Sequence, residues 1–128
     1  LGQDPLSLGA DIVVAADTKA PNGHSDALFG HVSTRDEALF QAMREWRKLS
    51  GSIPGPFEAW QVHRGLETLE LRFERMCDTA GTIAPRLADH KAVGSVDYPG
   101  LPGHHDHDLA ARQLRRARIA QALEIVAA

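Results

Sequence analysis

Residues 11–32 read DIVVAADTKAPNGHSDALFGHV, and the fold turns on how the first half of that stretch ends. Ile12 to Ala15 is a continuous apolar run led by β-branched residues. That is the pattern of a strand covered on both faces, as in a parallel sheet. The run heads directly into Thr18 and Lys19. Pro21-Asn22-Gly23 then turns the chain, and Ala27 to Ser33 alternates weakly, as a second, neighbouring strand would. An α/β fold follows, and in open α/β sheets ligands sit at the carboxyl ends of the strands. Lys19 lies just past such an end, with the Thr18 hydroxyl beside it. Gly23 lets backbone come close with no Cβ in the way. An amine held against the edge of a core is partly desolvated and nucleophilic, as Schiff-base chemistry requires. The neighbouring hydroxyl suits a phosphate oxygen. By spacing alone, the same residues also describe an ordinary exposed lysine in a turn.

The bulk properties narrow the class. A chain of 128 residues has room for one small domain. A net charge of −3 gives no global attraction to nucleic acid or to an anionic membrane. The run from Ile12 to Ala16 is far too short to cross a bilayer. A single cysteine, Cys77, cannot form an internal disulfide, which fits a reducing cytoplasm. The sequence opens on Leu1 rather than methionine, and aromatics make up only 5%, a thin core for a free-standing domain. A piece of a larger protein is the expectation.

Downstream, Thr34-Arg35-Asp36-Glu37 has the form of a capping box, with the Thr34 hydroxyl serving the Glu37 amide. It predicts a helix from about Asp36 to Leu49, striped by Leu39, Met43 and Trp46 and stopped by Gly51. Ser52 to Pro56 is a rigid connector. Ala59, Val62, Leu66, Leu69, Phe73, Met76, Ala80, Ile83 and Leu87 then step by three and four. They predict a long amphipathic helix to about Asp89. Gly65 costs roughly 1 kcal/mol against alanine there, so a break near Arg64-Gly65 is expected. Val93 to Tyr98 reads as a strand stopped by Pro99-Gly100. Residues 100–108 read as a loop, and Leu109 to Val126 as a helix.

Three segments together resemble one family. TKAPNGHSD is similar to the cofactor-lysine segment of the pyridoxal-phosphate enzymes of cysteine and methionine metabolism. PGPFEAWQVHRGLETLELR resembles the same family's Pro-Phe-(Asp/Glu)-Ala stretch and its Arg-Gly-Leu-x-Thr-Leu motif. VDYPGLPGHHDHDLAARQ resembles its Tyr-Pro-Gly-Leu segment with spaced histidines. The lead-in PLSLGADIVV fits as well, so the likeness runs over about residues 5–113. The Ala-Asp before Thr-Lys and the Trp after Phe-Glu-Ala are most similar to cystathionine γ-lyase and γ-synthase relatives of actinobacterial type. The resemblance implies a fragment of the fold-type-I transferase fold. Residues 1–58 would be the last part of the cofactor domain and 59–90 the connecting helices. Residues 91–128 would open the C-terminal domain and end in a divergent helical tail in place of the family's continuation.

The resemblance also implies chemistry. Lys19 would carry pyridoxal 5'-phosphate as a Schiff base and move the substrate's α-proton, and Thr18 would donate to the cofactor phosphate. The reaction would be elimination or replacement at the γ-carbon of a sulfur amino acid. Its substrate would be cystathionine or a homoserine derivative, handled in a homo-tetramer built from catalytic dimers. Two departures stand out: Ala16 replaces a serine that adds a phosphate contact in the family, and Ala20 replaces a common aromatic. The groups that stack on the cofactor ring, pair with its nitrogen and clamp the substrate carboxylate fall outside these residues. Lyase and synthase are therefore not separated.

Other readings compete. His104, His105, Asp106, His107 and Asp108 are ligand types for zinc or nickel, although consecutive residues of one loop rarely converge on one ion. Within the family resemblance no metal is implied. Gly23-His24-Ser25-Asp26-Ala27 nearly spells the hydrolase nucleophile elbow, which needs a helix directly after it; an apolar stretch of strand character follows instead. A non-catalytic helical module carrying relic motifs is the remaining alternative.

Overall fold

The computed structural model describes residues 2–114 and 124–127. They divide into two units, one spanning Pro5–Glu70 and the other running from Leu71 onward together with residues 2–4.

The first unit is built on a hairpin. Strand β1 (Ile12–Ala16) pairs antiparallel with β2 (Gly30–Thr34), in register from Ile12 opposite Thr34 to Ala16 opposite Gly30. The continuous apolar run predicts parallel neighbours and two covered faces. Among the described residues β2 is the one partner of β1, and Val14 remains 76% exposed. The run thus encodes more burial than this stretch of chain supplies for itself. A short 3-10 turn at Pro5–Leu8 leads into β1 and is tied to the far end of the hairpin, where Arg35 Nη2 donates to Ser7 Oγ at 3.0 Å.

Helix α1 (Glu37–Ser50) starts one residue later than the capping-box reading expects. Its N-cap is Asp36, whose carboxylate accepts from the Leu39 amide at 2.8 Å. Thr34 is drawn elsewhere: its hydroxyl donates to the Asp11 carbonyl at 2.7 Å and accepts from the Asp36 amide. A carboxylate three residues before a free N–H does the cap's work, so the threonine can lock the strand end instead. Gly51 ends the helix in the left-handed conformation, φ 70°, which glycine adopts without strain. Helix α2 (Pro56–Leu66) opens with Pro56 in its first turn, where a missing N–H costs nothing. It runs through Gly65 unbroken. The interruption comes two residues later, at Glu67-Thr68, before α3 (Leu69–Ala88) begins.

In the second unit α3 buries Phe73, Cys77, Ala80 and Ala84, an i, i+4, i+7, i+11 stripe. The expected stripe is rotated by about one position: Met76 and Ile83 are exposed, while Cys77 and Ala84 point inward. Ala80, Ala84 and Tyr98 form the centre of the core, flanked by Val96 and Leu101. Gly2 packs on the ring of Phe73, and Gln3 Nε2 donates to Gln113 Oε1 at 3.2 Å, which fastens the first residues here. Strand β3 (Val93–Asp97) pairs antiparallel with β4 (Glu124–Ala127), with an irregularity between Val93 and Ser95. The predicted helix from Leu109 to Val126 is therefore corrected. Helix α4 spans His107–Gln113, and the β-branched Ile125-Val126 pair belongs to a strand, as its intrinsic preference favours. The part of that prediction at 115–123 lies outside the described residues. Among the described residues no helix is long and apolar enough to cross a membrane.

Candidate functional site

At the carboxyl end of β1 the chain makes a tight return that presents Thr18 and Lys19. The amides of Asp17 and Thr18 both donate to the Phe29 carbonyl, at 2.9 and 3.2 Å. Asn22 N–H then donates to the Asp17 carbonyl and Gly23 N–H to the Lys19 carbonyl, each at 2.8 Å. The loop after the lysine thereby closes onto the lysine's own backbone. Gly23, at φ 75°, and Ser25, at φ 56°, take the left-handed turns that bring the chain back to β2. Since β2 follows Ser25 and no helix does, the nucleophile-elbow reading finds no support in the geometry.

Thr18 is half-buried. Its hydroxyl accepts from the Phe29 amide at 3.1 Å and donates to the Phe29 carbonyl at 3.3 Å. The accepted bond is the shorter and fixes the oxygen; the donated one is long and weak, so the proton can turn to a better acceptor. Lys19 is exposed, and among the described residues no carboxylate is paired with it. The desolvation expected for this amine is not provided by the described residues: α2 packs on the turn at Pro21 and Asn22, while Lys19 itself stays exposed beyond the end of the two-stranded ribbon. What the turn does provide is a fixed backbone, a free amine and an adjacent hydroxyl whose donor is available. These fit a ligand that combines an aldehyde with a phosphate.

Among the supporting residues, His31 and Gln61 were not singled out by sequence reasoning, and Asp17, Asn22 and Asp26 entered only as parts of motifs or turns. Asp17 is almost fully buried, and both its carboxylate oxygens lie 2.8 Å from His31 Nδ1. Asn22 is completely buried; its Nδ2 donates to Asp26 Oδ1 at 2.9 Å, and its carbonyl lies 2.8 Å from His24 Nδ1. Helix α2 reaches the same place, with Gln61 Nε2 donating to the Asp26 carbonyl at 3.3 Å and Arg64 Nη2 standing 3.9 Å from Asp26 Oδ2. Arg64 also lies over the Trp60 ring. The Asn22 amide chiefly holds the Asp26 carboxyl below its usual range; burial opposes, while its own backbone N–H and the charges of His24 and Arg64 act the same way as Asn22. The available signal was polar residue type: Asp17 and His31 interrupt two otherwise apolar strand ends, where an unpartnered charge would not be tolerated.

The histidine loop has a different logic. One polar atom from each of His104, His105 and Asp106 lies within 4.8 Å of the others. His104, however, already uses both ring nitrogens: Nε2 meets Asp97 Oδ1 at 2.6 Å, and Nδ1 accepts from the Asp106 amide at 3.0 Å. His107 Nδ1 lies 3.0 Å from the Pro99 carbonyl, away from the cluster, and Asp108 sits in the first turn of α4. An ion here would have to displace the contacts that hold the loop together.

Comparison with known proteins fixes the class of the chain. The profile of the family described as Cys/Met metabolism PLP-dependent enzyme matches residues 1–126, and the chain belongs to that family. Cystathionine gamma-synthase of Mycobacterium tuberculosis is 48% identical over 113 residues, which cover 88% of this chain and 29% of that protein. Cystathionine gamma-lyase of Saccharomyces cerevisiae is 44% identical over 115 residues, covering 89% of this chain and 29% of the relative. Among solved structures, cystathionine gamma synthase from Xanthomonas oryzae superposes with a TM-score of 0.90 at 40% identity, over 97% of this chain and 32% of that one. The fold is that of a segment of these PLP-dependent enzymes. The chain spans about 30% of the length of the relatives it matches. The family match runs to residue 126 and so takes in Glu124 to Val126 of β4.

Proposed function

We propose that this chain is the lysine-bearing segment of a pyridoxal-phosphate trans-sulfuration enzyme of the cystathionine γ-lyase type. The reaction is elimination or replacement at the γ-carbon of a sulfur amino acid. The observation that carries the reading is the Thr18–Lys19 pair at the carboxyl end of β1, its backbone closed by the Asn22 and Gly23 amides, in a chain 48% identical to a cystathionine gamma-synthase. Lys19 and Thr18 would hold pyridoxal 5'-phosphate, which supplies an electron sink for carbon-acid chemistry when bound. Thr18 Oγ1, anchored by the Phe29 amide, would turn its proton to the phosphate. Lys19 Nζ would form the covalent attachment and, once released, would take and return the proton at the substrate's α-carbon. Asp17 and His31 fix the strand ends beneath these two residues.

On this reading residues 1–58 end the cofactor domain, 59–90 connect, and 91–128 open the C-terminal domain. The walls that desolvate Lys19 come from the part of the family fold that these residues do not span. The substrate is cystathionine or a homoserine derivative, the assembly a homo-oligomer and the compartment the cytoplasm. The test is spectroscopic. The protein is mixed with pyridoxal 5'-phosphate and should gain a visible Schiff-base absorption that hydroxylamine abolishes and Lys19→Ala lacks. A band that survives Lys19→Ala, or no band in a folded full-length protein, overturns the assignment.

A further inference from the structure

Helix α2 rests on the lysine turn through a residue that has no side chain. A Cβ on Gly65 would collide with the Asn22 carbonyl oxygen, and would stand 2.5 Å from the Pro21 carbonyl oxygen and 2.9 Å from the Asn22 carbonyl carbon. All three are backbone atoms, which cannot swing aside as the tip of a long side chain can. Gly65 itself has no left-handed backbone angle, and α2 continues through it as regular helix. Alanine is the stronger helix former, so the helix alone gains nothing from glycine here. What the bare Cα permits is the close contact with the turn.

That contact leads to Lys19 in two steps. The residues whose carbonyls abut Gly65 are Pro21 and Asn22. Asn22 N–H is bonded to the Asp17 carbonyl, and the next amide, that of Gly23, to the Lys19 carbonyl, both at 2.8 Å. Gln61, one turn earlier on α2, donates to the Asp26 carbonyl, and Asp26 in turn holds the buried Asn22 side chain. The height of α2 over this turn therefore sets where the backbone of residues 17–23 can lie. We propose that Gly65 is a positioning residue for Lys19, its bare Cα being the seat that fixes the turn carrying the amine. The proposal rests on the reading of Lys19 as the cofactor lysine, and it has no counterpart in the cofactor-contacting residues themselves.

The experiment compares wild type, Gly65→Ala and His63→Ala, an exposed-face control on α2, in the full-length protein. Two quantities are measured: amide hydrogen exchange over residues 17–23, and the pH at which the Lys19-dependent absorption of bound pyridoxal 5'-phosphate titrates. Gly65→Ala should speed exchange in that segment by about tenfold and move the titration by at least ~0.5 pH unit; His63→Ala should do neither. Exchange within about twofold of wild type in folded Gly65→Ala overturns the proposal. Should Gly65→Ala not fold, Asp26→Ala releases Asn22 and Arg64 without adding bulk. It should loosen the same segment about threefold, and unchanged exchange there overturns the proposal equally. A wild type that shows no lysine-dependent absorption overturns the cofactor assignment instead, and the exchange comparison then decides the positioning role by itself.

Discussion

The Asp17 carboxylate holds His31 Nδ1 at 2.8 Å from both of its oxygens, and it does so with only 6% of the side chain open to water. The imidazole is the half-exposed member, so it carries solvent contact for the pair while the acid stays inside. Removing the imidazole strands a buried charge. His31→Ala is expected to cost about 2–3 kcal/mol of unfolding free energy, read by urea denaturation at neutral pH. Asp17→Asn keeps the shape, loses the charge, and should cost about 1 kcal/mol. A loss under about 0.5 kcal/mol for His31→Ala would mean that the pair does not hold the strand ends.

Asp26 gives the lysine turn a pH dependence. Its carboxyl is held below the usual range in the folded chain, mainly by the Asn22 amide. A depressed acid contributes stability that is present above the unfolded-state value and is lost as pH falls through the folded one. The contribution of Asp26 to the stability of the turn should therefore be flat from neutral pH down to the ordinary aspartate range and fall below it. Hydrogen exchange over residues 20–26 at stepped pH measures this, after correction for the intrinsic exchange rate. Asp26→Asn should flatten that acid limb, since the amide does not titrate.

The start of α1 separates two caps. Asp36 accepts from the Leu39 amide, whereas the Glu37 side chain accepts from Gln41 Nε2 one turn along the helix. Asp36→Ala should lower stability by about 1 kcal/mol, and Glu37→Ala by no more than about 0.5 kcal/mol. The reverse order in thermal melts would restore the capping box predicted from the sequence.

Gly100 has no room for a side chain. A Cβ there would collide with the ring of Tyr98, lying 2.7 Å from Cζ and 2.9 Å from the phenol oxygen, and Tyr98 is only 1% exposed in the core with Ala80 and Ala84. Gly100→Ala should cost about 1–3 kcal/mol through overpacking. Loss of the tyrosine's near-ultraviolet dichroism should accompany it. An unperturbed tyrosine signal would show that the ring can shift to accept a methyl group.

Local patterns gave up much of this arrangement at the level of sequence. The apolar run before Thr18-Lys19, the Gly51 stop and the three-four stepping of α3 each depend on neighbours close along the chain, and each occurs within a residue or two of where it was expected, whereas α2 starts at Pro56, inside the stretch read as a connector. The exceptions depend on distant partners. Whether β1 meets a parallel or an antiparallel neighbour is decided across the hairpin, not by Ile12 to Ala15. Ile125-Val126 becomes a strand because β3 lies ready to pair with it. Lys19 and Thr18 stood out by residue type and order, whereas Gly65, read along α2 alone, looked like a weakness of the helix. Its meaning depends on Asn22, 43 positions away along the chain.

The lone thiol has a practical use. Cys77 is 2% exposed on the inner side of α3, so an alkylating reagent meets it only when that helix lifts from its neighbours. Labelling progress under native conditions is thus a built-in stopwatch for breathing of the second unit, readable from a single mass increment without any engineered probe.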